Sequence, residues 1–135
     1  MSRFLGIDYG NRRIGVAISD RTNKIALGLE VIINNDLDRS IFQINKIIDE
    51  NEIRTVVVGL PLGLKNVVTN QTKETLNFID ELEQAVKIDI EKYDERFTSK
   101  IADKFLFHKK SKKTGDRDIK SAQIMLQDYL DKINK

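Results

Sequence analysis

Three carboxylates from distant parts of the chain have the residue types and positions to bind metal ions together. Asp8 follows the apolar run Phe4-Leu5-Gly6-Ile7, Glu95 follows a strand-like segment, and Asp118 precedes the last amphipathic segment. Hard divalent cations prefer oxygen ligands. A two-metal phosphodiesterase site uses several carboxylates to hold ions about 3.5–4 Å apart. A strand Asp, a strand-end Glu and a helix-start Asp would supply such a site.

Asp8 and Asp118 also have ordinary structural explanations. A buried strand carboxylate needs a partner, a proton or a metal ion, and hydrogen bonds to the following turn at Gly10 would satisfy Asp8 equally well. Asp118 at the start of a helix would be stabilised by the helix dipole by about 0.3–1 kcal/mol. Asp116, two positions earlier, would cap that helix as well. For a single Asp at a helix start, capping is the more common role.

Glu95 has a second acid, Asp94, as its direct neighbour. Successive side chains of an extended chain point to opposite faces, so only one of the two can lie with Asp8. Alternation places Glu95 on the more polar face of its strand. The alternative to a metal ligand is a solvated strand end with an ion pair to Arg96. The residue pattern alone leaves the choice between Asp94 and Glu95 open.

Hydrophobic periodicity predicts the elements that would position these acids. Strands are predicted over residues 3–9, 13–19, 27–33, 55–60 and 88–93, with turn residues between the first three. Apolar side chains at i, i+3 and i+4 spacing predict a first helix that includes residues 41–48 and a second over 72–86. A third helix is predicted to begin at Thr98, and a last one carries Ile119, Ala122, Leu126, Leu130 and Ile133.

The order of these elements predicts an α/β fold with three layers. Short connections join the first three strands into an antiparallel meander. The later strands alternate with helices and should enter the sheet parallel through right-handed crossovers. The prediction is a mixed five-stranded sheet flanked by helices, in one domain over residues 1–135, since no linker or repeat is visible.

Composition excludes several classes of protein. The chain has 33% charged and 40% hydrophobic residues, which is typical of a soluble globular domain. No apolar run approaches the roughly 20 residues that span a bilayer, and no signal peptide is visible, so no membrane partner is expected. The absence of cysteine excludes disulfides and thiolate metal sites and favours a cytoplasmic location.

Positive charge is concentrated in one stretch. Residues 96–120 contain nine Lys or Arg and three Asp, although the whole chain has a net charge of only +2. Such a stretch is typical of a surface that holds nucleic acid, although each single lysine is more often solvated. The lone His108 lies within this stretch, next to Lys109 and Lys110, and is interpreted as a solvated residue.

Four sequence blocks resemble the YqgF/RuvX family of bacterial ribonuclease H-like nucleases. The blocks are Gly6-Ile7-Asp8-Tyr9-Gly10-Asn11-Arg12-Arg13-Ile14-Gly15-Val16-Ala17-Ile18-Ser19-Asp20, Val57-Val58-Gly59-Leu60-Pro61-Leu62, Asp94-Glu95-Arg96-Phe97-Thr98-Ser99, and Asp118 with Ser121-Ala122 and Met125-Leu126-Gln127-Asp128-Tyr129-Leu130. They occur in the family's order over nearly the whole chain. The resemblance implies a ribonuclease H-like fold, metal-dependent hydrolysis of nucleic acid, and two Mg²⁺ or Mn²⁺ ions held by Asp8, Glu95 and Asp118, so it selects Glu95 over Asp94.

The resemblance also implies a substrate. Processing of the 5′ end of pre-16S rRNA during ribosome assembly is the expected role, with the ribosome as a partner; resolution of branched DNA is the alternative. Spacing does not separate the two substrates or fix the oligomeric state. The residues expected to hold the nucleic-acid backbone are Arg12, Arg13, Arg96, Lys112, Lys113 and Arg117.

The sequence departs from the family pattern in two places. Gly63-Leu64-Lys65-Asn66 replaces the family's usual Asp-Gly turn, and Arg117 stands before the third carboxylate where an apolar residue is common. Asp116 therefore remains an alternative third ligand. Gly10 and Gly15 either permit a close approach of backbone or serve turns and packing.

Two other classes of protein compete with a nuclease. The Asp8-Tyr9-Gly10 opening also resembles the first phosphate motif of the actin, Hsp70 and sugar-kinase superfamily. Those proteins bind ATP between two such domains, and 135 residues provide only one. A non-catalytic RNA- or ribosome-binding module is the other alternative, against which the presence of all three acids argues.

Overall fold

The computed structural model describes residues 2–62, 67–94 and 114–135, with backbone only for 114–116. The five strands in these residues are β1 (Arg3–Asp8), β2 (Arg13–Ser19), β3 (Ala26–Ile33), β4 (Ile53–Leu60) and β5 (Asp89–Asp94). The three helices within the same ranges are α1 (Leu37–Glu50), α2 (Asn70–Ala85) and α3 (Thr114–Ile133).

The strands form a single mixed sheet in the order β3-β2-β1-β4-β5. β1, β2 and β3 pair antiparallel as a meander, while β4 pairs parallel to β1 and β5 parallel to β4. The predicted sheet is therefore confirmed, including its parallel entry of the later strands. Because β1, β4 and β5 run in the same direction, their carboxyl ends meet at one edge of the sheet. Asp8 and Asp94 lie at this edge.

Each face of the sheet is covered by helices, which gives three layers. α1 and α2 bury Ile44 and Phe78 against one face, in a cluster with Ile7 and Val58. α3 buries Leu126, together with other apolar side chains, against the opposite face. The central strands are buried on both faces, which explains their nearly continuous apolar sequences. None of the helices in the described ranges is both long enough and apolar enough to cross a bilayer.

α3 is fixed to the edge strand β3 by hydrogen bonds. The Gln127 side chain accepts from Ala26 N at 2.8 Å and donates to Lys24 O at 2.8 Å, and Gln123 donates to Ala26 O at 3.0 Å. The two bonds to Ala26 satisfy the amide and carbonyl of the first residue of an edge strand, which would otherwise be open to further pairing. α3 is therefore held in a defined position along the sheet.

α3 begins earlier than the sequence predicts. Its first residue is Thr114, so Asp118 lies in the second turn and does not cap the helix. The apolar spacing begins only at Ile119, because the sequence of the first turn, residues 114–117, contains no apolar side chain, and this explains the error. The predicted helix from Thr98 lies outside the described residues.

Candidate active site

Asp8 is the last residue of β1 and its side chain is on the α3 face of the sheet. It is partly exposed, not enclosed within the strand as its apolar neighbours had indicated. Asp8 pairs with Gly15 in the β1–β2 ladder, and a Cβ on Gly6, two residues earlier, would meet Leu126 of α3. Residues i and i+2 of a strand share a face. Asp8 therefore faces α3 at the carboxyl edge of the sheet.

Gly15 brings α3 against the sheet next to Asp8. A Cβ at position 15 would lie 2.0 Å from the main-chain oxygen of Asp118 and 2.5 Å from its carbonyl carbon. Only a residue without a Cβ permits this approach. Since Gly15 is the direct cross-strand partner of Asp8, the contact places Asp8 and Asp118 at the same edge and on the same face. Of the two roles considered for Gly15, close backbone approach is the one observed.

Arg13 forms an ion pair with Asp118. Its Nε donates to Asp118 Oδ2 at 2.9 Å, and the two side chains are 38% and 26% exposed. Arg13 is the first residue of β2 and shares a face with Gly15, so its guanidinium reaches the second turn of α3 directly. The residue predicted to hold nucleic acid therefore contacts a predicted metal ligand.

Asp94 and Glu95 are the two candidates for the remaining metal-binding carboxylate, and only Asp94 lies within the described residues. Tyr93 is buried against α3, whereas Ile90 packs on the α1 and α2 side. By strand alternation Asp94 shares the face of Ile90, which is opposite to the face of Asp8. Glu95 lies outside the described residues, and so does the side chain of Asp116.

The described residues supply two of the expected metal ligands. Within residues 2–62, 67–94 and 114–135, no group of three or more His, Cys, Asp or Glu side chains is arranged to hold a metal ion. Asp8 and Asp118 offer carboxylate oxygens on one face of one edge. This donor set fits a hard divalent cation such as Mg²⁺ or Mn²⁺, which completes its coordination with water more readily than a soft metal does.

The predicted nucleic-acid residues fall into three groups. Arg12, in the β1–β2 turn, and Arg117, in the first turn of α3, are exposed. Arg13 is engaged with Asp118. The others, Arg96, Lys112 and Lys113, lie outside the described residues, as does His108.

The turn after Asp8 is held rigidly by its neighbours. The Tyr9 ring stacks on Phe78 of α2 with ring centroids 4.5 Å apart. Asn34 Nδ2 donates to the carbonyl of Gly10 at 3.0 Å, and a Cβ on Gly10 would lie 2.4 Å from the carbonyl oxygen of Arg13. These contacts fix the path of the chain between Asp8 and Arg13. The sequence had indicated only that Gly10 serves a turn or a close approach.

A polar network ties β5 to the far half of α3. The Tyr93 hydroxyl donates to Asp128, and Lys132 Nζ donates to that hydroxyl at 2.5 Å. Burial, followed by the hydrogen bond to Asp128, raises the pKa of Tyr93 above its usual value of 10.0. This network holds α3 against the central sheet and thereby helps to keep Asp118 at the carboxyl edge.

Solved structures with low sequence identity share the fold. The Thermus thermophilus RuvC structure in complex with a Holliday junction substrate superposes with a TM-score of 0.63, at 12% identity over 99% of this chain and 96% of that one. The Fowlpox virus resolvase bound to junction DNA gives a TM-score of 0.61, at 14% identity over 98% of this chain and 99% of that one. These likenesses confirm the predicted ribonuclease H-like fold.

Sequence relatives span almost the whole chain. A protein of Sulfurihydrogenibium sp. (strain YO3AOP1) named "Putative pre-16S rRNA nuclease" is 42% identical over 138 residues, covering 99% of this chain and 93% of the relative. A protein of Ruminiclostridium cellulolyticum with the same name is 39% identical over 135 residues, covering 97% and 95%. The family model described as "RuvX: Holliday junction resolvase" matches residues 2–132. The chain belongs to the RuvX family.

Proposed function

We propose that this protein is a divalent-metal-dependent nuclease that processes the 5′ end of pre-16S rRNA. The observation that carries the proposal is the close approach of Asp118 to Gly15, directly opposite Asp8. A main chain packed this tightly on a strand glycine fixes the position of the carboxylate that it carries. Two oxygen ligands held on one face of a sheet edge are suited to a metal site open to a large substrate.

The chain's own residues have distinct tasks in this proposal. Asp8 and Asp118 hold and orient two Mg²⁺ or Mn²⁺ ions, with Glu95 as the proposed third ligand. Such ions, when bound, activate a water molecule and stabilise the charge that develops on the phosphate. No side chain is needed as the nucleophile. Arg12 and Arg117 are exposed and would contact backbone phosphates near the site, which gives salt-sensitive and sequence-independent binding.

The proposed substrate follows the names of the relatives. Proteins about 40% identical over nearly the full chain are named for pre-16S rRNA, whereas the structures determined with junction DNA are at most 14% identical. Relatives with the higher identity carry more weight for substrate. The proposal includes a cytoplasmic location and the assembling ribosome as a partner, because the precursor RNA is part of the assembling ribosome.

Branched DNA is the second candidate substrate. The description of the matching family model favours it, as do the two resolvases of the same fold. A resolvase must cut two strands symmetrically, which requires two copies of the site. The two candidates therefore differ in the oligomeric state that they need.

A cleavage assay with both substrates tests the proposal. Purified protein is incubated with 5′-extended 16S precursor RNA or with a four-way DNA junction, in Mg²⁺, in Mn²⁺ or in EDTA, and its mass in solution is measured alongside. We expect metal-dependent cleavage of the RNA and a loss of at least about 100-fold in the Asp8→Asn variant. Equal cleavage by wild type and Asp8→Asn would show that no metal site at Asp8 is used. Symmetric cleavage of the junction by a dimer, with the RNA left intact, would favour the second candidate.

A further inference from the structure

We propose that Arg13 exchanges partners when the site binds a divalent ion, leaving Asp118 for a phosphate of the nucleic-acid backbone. Arg13 would then couple metal binding to substrate binding. This inference rests on the proposed metal-dependent nuclease function. It assigns to Arg13 two positions in turn, one at the metal ligand and one at the substrate.

The contact between Arg13 and Asp118 is of a kind that exchanges readily. One guanidinium nitrogen, Nε, bonds one carboxylate oxygen at 2.9 Å, and both side chains are partly exposed at 38% and 26%. A single-donor pair of this kind lacks the geometry of a bidentate Arg–carboxylate pair. Partly exposed pairs are also screened by solvent, and they stabilise a conformation by about five-fold or less. A divalent cation at the same carboxylate would therefore displace the guanidinium.

The charge balance of the site favours the exchange. Without a metal ion, Asp8 and Asp118 bring two carboxylates to one edge of the sheet, and this negative charge repels a phosphate. Arg13 is held there as the counter-ion to Asp118. A divalent ion bound there would neutralise the two carboxylates, which would weaken both the attraction that holds the guanidinium at Asp118 and the repulsion of a phosphate. The released Arg13 remains at the first position of β2, within reach of the same edge.

Thermodynamic linkage then makes the coupling reciprocal. If the metal ion releases Arg13 for the phosphate, bound nucleic acid must tighten metal binding by the same factor. The exchange also explains how Arg13 can pair with the proposed metal ligand Asp118 in one state and bind a substrate phosphate in the other.

Nucleic-acid binding in EDTA tests the exchange without cleavage. Fluorescence anisotropy of a labelled single-stranded RNA is measured against salt for wild type, Asp118→Asn, Arg13→Gln and the double variant. Asp118→Asn should mimic release of Arg13, so the slope of log K against log salt should steepen by about 0.7, the value for one added phosphate contact. In the Arg13→Gln background the same change should leave the slope unaltered. The control background is Arg21→Gln, which removes an exposed positive charge at the other end of the sheet. In this background Asp118→Asn should steepen the slope as it does in wild type.

Mn²⁺ binding measured by electron paramagnetic resonance supplies a second readout. Arg13→Gln removes the competing cation, so its Mn²⁺ affinity should rise about two- to five-fold, while Arg21→Gln matches wild type. A fall in Mn²⁺ affinity in Arg13→Gln would show that Arg13 only holds the carboxylate in place, and would overturn the exchange. An unchanged salt slope in Asp118→Asn, or a fall in Mn²⁺ affinity in Arg13→Gln, would overturn the exchange. The proposed function would still stand if wild type cleaves RNA with Mn²⁺. Failure of wild type to cleave overturns the function instead.

Discussion

Replacement of Gly15 by alanine should displace Asp118 from the site. The new Cβ would lie 2.0 Å from the Asp118 main-chain oxygen, whereas ordinary van der Waals contact begins at 3.4 Å. Relief of the clash therefore requires α3 to move away from β2 by more than 1 Å at this point, since the obstacle is backbone. Overpacking of this kind costs about 1–3 kcal/mol, which corresponds to roughly 4–12 °C in Tm. A misplacement of about 1 Å also costs on the order of 100-fold in catalysis.

Gly28→Ala is the matched control for this variant. A Cβ at Gly28 would also meet α3, but at the Cγ2 methyl of Ile119, 2.5 Å away. Both variants insert one methyl group between the sheet and the same helix, and both should lower Tm. Only Gly15→Ala acts on the backbone that carries Asp118.

The assay compares the two variants at one temperature at least 15 °C below the lower Tm. Metal-dependent cleavage by Gly15→Ala should fall by about 100-fold, and that by Gly28→Ala by no more than its loss of folded protein explains. Wild-type cleavage by Gly15→Ala, or equal losses in the two variants, would refute the role assigned to the Gly15–Asp118 contact.

Three further predictions concern stability. Asp20 accepts hydrogen bonds from the Thr22 hydroxyl and from the Ile25 amide, which lower its pKa below 3.8. The stability that the ionised Asp20 contributes is therefore present above pH 3.8 and is lost as the pH falls through the lowered pKa, so the melting temperatures of wild type and Asp20→Asn should converge in acid. Tyr93→Phe should lower the free energy of unfolding by about 1.5–3 kcal/mol at pH 7. Because the pKa of Tyr93 is raised, the difference in unfolding free energy between wild type and Tyr93→Phe, measured by chemical denaturation, should shrink as the pH rises through that pKa; a difference that stays constant would contradict this prediction. Thr69 caps α2 in a reciprocal capping box, so Thr69→Ala should cost about 0.5–2 kcal/mol by the same measurement, and an unchanged midpoint would exclude the cap.

The strands were predictable because their physics is local. Residues 13–19 were predicted as a strand and match β2 (Arg13–Ser19), because apolar side chains and flanking turn residues specify a buried strand directly. The parallel entry of β4 and β5 followed from the intervening helical segments and the handedness of crossovers. The predicted first strand ends at Tyr9, one residue beyond the observed end of β1, so Asp8 is the last residue of β1 and not an interior one.

The start of α3 was not predictable from periodicity. The turn beginning at Thr114 contains no apolar residue in its sequence, so the apolar periodicity begins at Ile119. An Asp ahead of that signal resembles a helix cap, whereas Asp118 lies in the second turn and pairs with Arg13. The contact joins residues 105 positions apart, and no local pattern encodes a pair at that separation.

Gly15 illustrates what a sequence can indicate without specifying it. A glycine within a strand indicates a bulge or a close approach of backbone, but the identity of the approaching segment depends on how α3 packs. The structure supplies that identity as Asp118. Its consequence for the site, the placement of Asp118 beside Asp8, follows only when the β1–β2 register is also known.

Whether Asp8 and Asp118 share one metal ion is tested most directly by Mn²⁺ binding to the protein alone. Affinity is measured by electron paramagnetic resonance for wild type, Asp8→Asn, Asp118→Asn and the double variant, with Asp131→Asn, near the far end of α3, as the control. If both carboxylates hold the same ion, each single variant should weaken Mn²⁺ binding by at least about 10-fold, because loss of a residue that merely supports a metal ligand already costs that much. The double variant should lose less than the product of the two effects. Wild-type affinity in Asp118→Asn, with a loss in Asp8→Asn, would contradict the shared site.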